Sequence, residues 1–317
     1  MSTTPLSSLG ENAVLERLLH ALPTNDRLII GPGDDCAVVA RNGEWDTLLK
    51  TDVVVENMHF TPDTAPERIG RKALARAVSD IAAMGGIPEH ALITVLCHPS
   101  RPVEQLEGIY RGMNALADQF GISIAGGETS SLPYDGIVIN VALTGRVEHG
   151  QAILRSGGQP GDLLFVTGVL GGSFPTEWHL DFEPRVELAR ELLKAGIRPS
   201  AMMDLSDGLG SDLPRLAAAS KCGFELWQEK IPCRPGFSVS DAVSHGEDYE
   251  LLIALPPDEV RKLASSAFAS TLHNIGRLTP GQASEIRSGW QHFKCKHSTK
   301  SLVEGDAIMR AYVHITA

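Results

Sequence analysis

The acidic residues of this chain recur in short clusters, flanked by glycine and backed by apolar runs. The clusters are Gly33-Asp34-Asp35, Thr51-Asp52, Ser79-Asp80, Gly126-Gly127-Glu128-Thr129, Asp204-Leu205-Ser206-Asp207-Gly208 and Gly246-Glu247-Asp248-Tyr249-Glu250. Burying an unpaired carboxylate is costly, so acids in such settings need counter-charges. Hard divalent cations remove the problem, because Mg²⁺ prefers carboxylate oxygens and substrate phosphates. The pattern predicts a multi-metal, phosphate-handling site assembled from several strand ends.

Apolar periodicity supplies the frame. Residues 11–22 carry Val14, Leu15, Leu18, Leu19 and Leu22 at helical spacing. Residues 37–40 and 47–50 read as strands joined through Asn42-Gly43, with 53–55 continuing the extended run. Residues 67–84 read as a helix packed through Ile69, Leu74, Ala77, Val78 and Ile81, and Gly85-Gly86-Ile87-Pro88 stops it. Strands at 91–97, 122–125 and 137–144 and a helix at 102–120 complete the first half. The glycine- and proline-rich stretch 155–162 marks a boundary. Beyond it, strands at 163–167, 224–227 and 250–254 alternate with helices at 183–195, 209–220 and 257–267. This predicts an α/β fold of α+β layers, divided into residues 1–150 and 151–317.

Charge and cysteine usage exclude several classes. A net charge of −11 argues against nucleic acid as a partner, since phosphate backbones need a basic surface. A nucleotide substrate stays open, because bound Mg²⁺ reverses the local sign. No run of 18 or more apolar residues occurs, which argues against a membrane span, and Met1–Gly10 lacks a leader pattern. The five cysteines are scattered without a Cys-x-x-Cys, as expected of reduced thiols in a cytoplasmic protein. There is no lysine-bearing P-loop, no Gly-x-Gly-x-x-Gly opening a helix and no Gly-x-Ser-x-Gly elbow.

Each acidic motif also has a plainer reading. Asp34-Asp35 can be a turn with two solvated acids. Thr51-Asp52 can cap a turn. Asp80 lies in the apolar helix segment Ala77-Val78-Ser79-Asp80-Ile81-Ala82-Ala83, where an Asp is either on the wet face or paired. Gly126-Gly127-Glu128-Thr129 fits a strand-end loop whose N–H groups can hold phosphate oxygens. In the 204–208 segment, Ser206 or Asp207 can cap the following helix, or the helix N-terminus can receive phosphate.

The order of the motifs is more specific than any one of them. Gly33-Asp34-Asp35, Thr51-Asp52 with Val55-Glu56-Asn57-Met58-His59-Phe60, and Ser79-Asp80-Ile81-Ala82-Ala83-Met84-Gly85 come first. Gly126-Gly127-Glu128-Thr129, Arg155-Ser156-Gly157-Gly158, His179-Leu180, Pro184-Arg185, Asp204-Leu205-Ser206-Asp207-Gly208, Gly246-Glu247-Asp248-Tyr249-Glu250 and Gly289-Trp290-Gln291-His292-Phe293 follow. This series resembles the thiamine-monophosphate kinase family of the aminoimidazole-ribonucleotide synthetase-like superfamily, over residues 10–293. The resemblance implies two α/β domains, the first forming a β-barrel in a homodimer. It implies transfer of the γ-phosphoryl of ATP to thiamine monophosphate, without a phospho-enzyme. By position, Asp35, Thr51, Asp52, Asp80, Glu128, Asp204 and Asp207 are implied Mg²⁺ ligands, with Asp52, Asp80 and Asp207 closest to the chemistry. Gly127, Glu128, Arg155 and Ser206 are implied ATP contacts, and His59, Glu247 and Trp290 are implied contacts to the thiamine moiety. Phosphoryl transfer agrees with such a set, since it needs positioning and charge neutralisation more than a covalent group.

The chain departs from the resemblance at a few places. Glu128 stands where the family usually has Asp, and Lys50 where it often has Ser. The segments after Gly168 and between Pro232 and Gly246 are short, and a tail of residues 294–317 extends past the usual end. These departures motivate two alternatives: a related ATP-dependent enzyme with a different acceptor, and a degenerate nucleotide-binding module.

Overall fold

The computed structural model describes residues 8–9, 11–19, 22–281, 284–288 and 291–295. Trp290 and residues 296–317 lie outside them, so the expected aromatic contact and an edge strand expected in the tail are not addressed.

The first half contains α1 (Glu11–Leu19), β1 (Leu28–Ile30), β2 (Ala37–Ala40), β3 (Trp45–Val55), α2 (Pro66–Ala83), β4 (Ile87–Cys97), α3 (Val103–Phe120), β5 (Ser123–Ser131) and β6 (Ile137–Glu148). Its strands form one six-stranded sheet in the order β1-β2-β3-β6-β4-β5. Only the β4–β5 pair is parallel. The second half contains β7 (Leu163–Val166), α4 (Trp178–Asp181), α5 (Val186–Lys194), β8 (Ala201–Asp204), α6 (Leu209–Ala219), β9 (Gly223–Trp227), α7 (Val239–Ser244), β10 (Leu251–Leu255), α8 (Pro257–Ala264), β11 (His273–Thr279), β12 (Ser284–Ser288) and β13 (Gln291–Cys295). These strands form a seven-stranded sheet in the order β13-β12-β9-β11-β7-β10-β8, parallel only at β12–β9. The result is a mixed α/β fold of two mostly antiparallel sheets with helical layers.

Helix α2 is the element on which the site depends. Ile69, Leu74, Ala77, Val78 and Ile81 are fully buried, as their spacing predicts. The helix packs on β3 and β6, runs against α3, and also touches α4, α5 and β8. Its close approach to α3 rests on two glycines. A Cβ at Gly70 would lie 1.8 Å from the carbonyl oxygen of Ile109, and one at Gly112 would lie 1.8 Å from that of Glu67. The core on this helix and the first sheet also takes in Leu180, Phe182, Val186 and Tyr249 from the second half of the chain.

The other face of the first sheet is uncovered. Leu49, Val53 and Leu92 are 42%, 39% and 52% exposed, an unusual cost for large apolar side chains in mid-strand. A hollow of about 450 Å³ on this face is lined by Leu49, Thr51, Leu92, Ala125 and Ala142, among others.

Two expectations need correction. The 126–129 segment is not a strand-end loop; it continues β5, which runs to Ser131 along the sheet edge and pairs with β4 through Gly127↔Ile93 and Glu128↔Thr94. Its residues are polar because an edge strand exposes them, so no apolar pattern marks it. Neither Ser206 nor Asp207 caps α6; the N-cap is Gly208, at φ 92°, and no side chain bonds there.

Candidate active site

Three acids from distant parts of the sequence, Asp35, Asp80 and Asp204, converge beside α2. Oxygens of Asp35, Asp80 and Asp204 lie within 4.8 Å of one another, and all three residues are buried. Asp35 enters from the turn before β2, Asp80 from α2 and Asp204 from the end of β8. Asp52, from β3, points to the same side of its sheet as Lys50. Strand alternation requires this, and it sends Thr51 the other way. The Thr51 hydroxyl donates to Asn140 Oδ1 at 2.9 Å on the open face.

Three of the four acids have a cation of their own. Asp35 pairs with the guanidinium of Arg155, Asp52 with Arg76 at 3.1 Å, and Asp80 with Lys50 at 2.8 Å. Asp204 receives only the Ser79 hydroxyl, at 2.6 Å, and no cation among the described residues lies within 4 Å of it. Burial pushes the Asp204 carboxyl up to about 7, aided by the nearby Asp35 charge. Burial likewise drives Asp80 well above the carboxylate range, although Lys50 opposes it. The second oxygen of Asp35 is buried without any hydrogen-bond partner. An orphaned carboxylate oxygen facing two further carboxylates is a poor structural motif but a good ligand set for a hard cation. The residues therefore fit a divalent metal.

A second buried network lies two turns toward the N-terminus of α2. Lys72 is 0% exposed. Its ammonium donates to the His59 carbonyl at 2.5 Å, meets His179 Nδ1 at 2.7 Å and pairs with Glu247. Burial depresses Lys72 to about 8, with Glu247 resisting. Burial would raise Glu247, but the His179 hydrogen bond and the charges of Lys72 and Arg76 outweigh it and hold the carboxyl at about 2. His59 Nδ1 accepts from the Val55 N–H at 3.0 Å, which leaves the proton of a neutral ring on Nε2. The short segment after Gly168 closes over this network. Ser173 donates to the Glu247 carbonyl, and Phe174 stacks on His179 with ring centroids 4.2 Å apart while staying 45% exposed. Arg76 joins the two networks, lying 3.1 Å from Asp52 and 3.9 Å from Glu247.

Of the remaining expected site residues, Arg155 touches the three-acid cluster, while Asp207, Glu128 and Gly127 sit apart from it. Asp207 turns out to solvent and pairs with Arg215, while its N–H donates to Asp212 at 2.9 Å. Glu128 is exposed on the edge strand, in register with Thr94 on the open face, and Gly127 precedes it there. The Arg155 N–H also holds Asp34 Oδ1 at 2.7 Å, so Arg155 fastens the whole Asp34-Asp35 turn. Ser206 is half-buried, and its carbonyl accepts from the Glu247 N–H at 2.7 Å. Lys72 and Arg76 were not anticipated. With Asp80 they fall at i, i+4 and i+8, one face of a helix, and that spacing was the available signal.

Comparison with known proteins places the chain. Residues 33–147 match "AIR synthase related protein, N-terminal domain", and residues 159–289 match "AIR synthase related protein, C-terminal domain". The chain is 35% identical over 271 residues to the thiamine-monophosphate kinase of Rhodopirellula baltica, covering 80% of this chain and 84% of that one. It is 32% identical over 326 residues to the thiamine-monophosphate kinase of Bacillus subtilis, covering 89% and 98%. The chain belongs to the thiamine-monophosphate kinase family. A solved structure of AaThiL complexed with AMPPCP and TMP superposes with a TM-score of 0.79 at 28% identity, covering 93% of this chain and 99% of that one. The family assignment makes this chain a kinase of the AIR synthase related group, with the three-acid cluster inside its matched regions.

Proposed function

We propose that this chain transfers the γ-phosphoryl group of ATP to the phosphate of thiamine monophosphate, giving thiamine diphosphate and ADP. An acceptor phosphate oxygen attacks the γ-phosphorus in line, and the β–γ bridging oxygen leaves with ADP. The observation that carries the reading is the buried Asp35–Asp80–Asp204 cluster with its orphaned oxygen, in a chain of this family.

Asp35, Asp80 and Asp204 would hold Mg²⁺, with Asp52 beside them. Bound there, Mg²⁺ would neutralise the phosphate oxygens and the developing charge of the transfer. Arg155 orients Asp35 through its guanidinium, and Ser79 orients Asp204. Arg155 and Ser206 flank the nucleotide side. Lys72, His179 and Arg76 fix the Glu247 carboxylate as an anion at the acceptor side, where a thiazolium cation is the complementary charge. Asp207, Glu128, Gly127 and Thr51 stand away from this cluster in the single chain; Glu128 and Thr51 lie on the open sheet face.

That face suits a second copy of the chain. Leu49, Val53 and Leu92 form an apolar strip on a regular sheet, and its burial in a homodimer would remove their exposure. No helix among the described residues is long and apolar enough to cross a membrane. Cys36, Cys97, Cys222 and Cys233 are free thiols, in keeping with a cytoplasmic setting.

The test is ADP release with ATP and Mg²⁺, using thiamine monophosphate as acceptor and unphosphorylated thiamine as control. Turnover with thiamine monophosphate alone is expected. Turnover only with another phosphorylated acceptor would replace the substrate, and nucleotide binding without turnover would replace the kinase reading with the binding-module one.

A further inference from the structure

Lys50 enters the acid cluster from β3, on the buried side of the sheet. Its ammonium lies 2.8 Å from Asp80 Oδ1, and its side chain is 22% exposed. The carboxylates next to it already differ in how they are served. Asp35 Oδ1 and Asp52 Oδ1 meet guanidinium groups that approach, respectively, from the loop before β7 and from α2. Asp35 Oδ2 meets nothing, and Asp204 meets only a hydroxyl. The Asp80 oxygen is the one served by a compact point charge.

A lysine ammonium has three donors and no acceptor, and it is strongly hydrated, like a small metal ion. Unlike a metal, it is tethered and carries a single charge. At 2.8 Å from Asp80 Oδ1 it occupies the space in which a Mg²⁺, held at about 2.0–2.1 Å from the same oxygen with its own shell of waters, would have to sit.

We propose that Lys50 is a resident substitute for one divalent cation of this centre. Its ammonium serves Asp80 Oδ1, and one divalent ion enters at Asp35 Oδ2, Asp204 and the other Asp80 oxygen. The proposal rests on the metal reading of the cluster. It makes position 50 the residue that sets how many cations the centre takes.

Binding of Mn²⁺ to the metal-free protein, without nucleotide, tests this independently of activity. Free Mn²⁺ is counted by electron paramagnetic resonance for the wild type, Lys50→Ser and Lys50→Met. Either variant is expected to take roughly one more Mn²⁺ per chain than the wild type, because an uncharged side chain leaves Asp80 free to ligate. Equal stoichiometry in all three would overturn the role of Lys50 and leave the metal site standing. No binding by any of them would overturn both. If the variants do not fold, wild-type crystals soaked in Mn²⁺ decide by anomalous scattering. Manganese at Asp35 and Asp204 with Lys50 still on Asp80 is the expected picture. Manganese on Asp80 Oδ1 with Lys50 displaced would refute it.

Discussion

Ser79 Oγ donates a 2.6 Å hydrogen bond to Asp204 Oδ2, joining residues 125 positions apart. The bond ties α2, under the first sheet, to the last residue of β8, at the edge of the second. Among the described residues Asp204 has no other side-chain hydrogen-bond or ion-pair partner. Ser79→Ala removes the donor and leaves a buried carboxylate without it. A loss of roughly 1–3 kcal/mol in unfolding free energy is expected, measured by urea denaturation without metal. An unchanged midpoint would show that the bond is not formed in solution.

Asp204 also sets a pH dependence. Its carboxyl is raised from 3.8 to about 7, so the folded chain binds the proton more tightly than the unfolded chain. The stability from this group is complete below about pH 4 and is lost as pH rises through about 7. In EDTA, Asp204→Asn should therefore gain Tm relative to the wild type as pH goes from 5 to 8. Added Mg²⁺ should narrow the gap at the high end, since a cation supplies what protonation no longer does. Parallel Tm curves for the two proteins would count against a buried, proton-holding Asp204.

The Lys72–Glu247 pair should behave as a buried ion pair. Glu247→Gln leaves a fully buried ammonium without its counter-charge, a loss of about 3–5 kcal/mol. The double variant Lys72→Met/Glu247→Gln should recover much of that, because both charges are gone. Thermal denaturation of the four proteins of the cycle measures the coupling. Additive losses would mean that the two charges do not depend on each other.

Asp80→Asn should abolish turnover while the far-UV spectrum stays that of the wild type. Loss of one carboxylate from the cluster withdraws several kcal/mol of charge stabilisation from phosphoryl transfer. ADP release above about a tenth of the wild-type rate would remove Asp80 from the catalytic set.

Leu92 is 52% exposed at the centre of the open sheet face. Leu92→Lys should convert a dimer into a monomer by light scattering, with little change in monomer fold, because about half of the side chain is already exposed. A wild-type protein that is already monomeric at micromolar concentration would dispose of the dimer.

The sequence made much of this site legible, for a physical reason. Asp35, Asp80 and Asp204 stood out because acids embedded in apolar runs must be paired or ligated, and that holds whatever the fold. The long helix 67–84 was equally clear from its apolar stripe, and it spans Pro66–Ala83. Thr51 and Asp52 are neighbours in one motif, but strand alternation puts their side chains on opposite faces, and the motif alone does not show this. The 126–129 segment was misjudged because an edge strand needs no apolar side chains. Asp207 was read as a ligand from its motif, yet Arg215, one helical face away, holds it outward. Helix α1 is described over Glu11–Leu19, and Leu22 lies outside it. The Lys72 and Arg76 positions were missed because cations on a helix ordinarily face water. Their partners come from distant segments: His59, His179 and Glu247 for Lys72, and Asp52 and Glu247 for Arg76.

Helix α2 thus works as a ruler. Asp80 reaches the acid cluster and Lys72 the Glu247 network, eight residues apart on one rigid rod, or about 12 Å along its axis. The gap between the two ends is therefore fixed by backbone hydrogen bonds and not by flexible loops. Any insertion within α2 would throw the acid cluster and the Glu247 network out of step by a rotation of about 100° per residue.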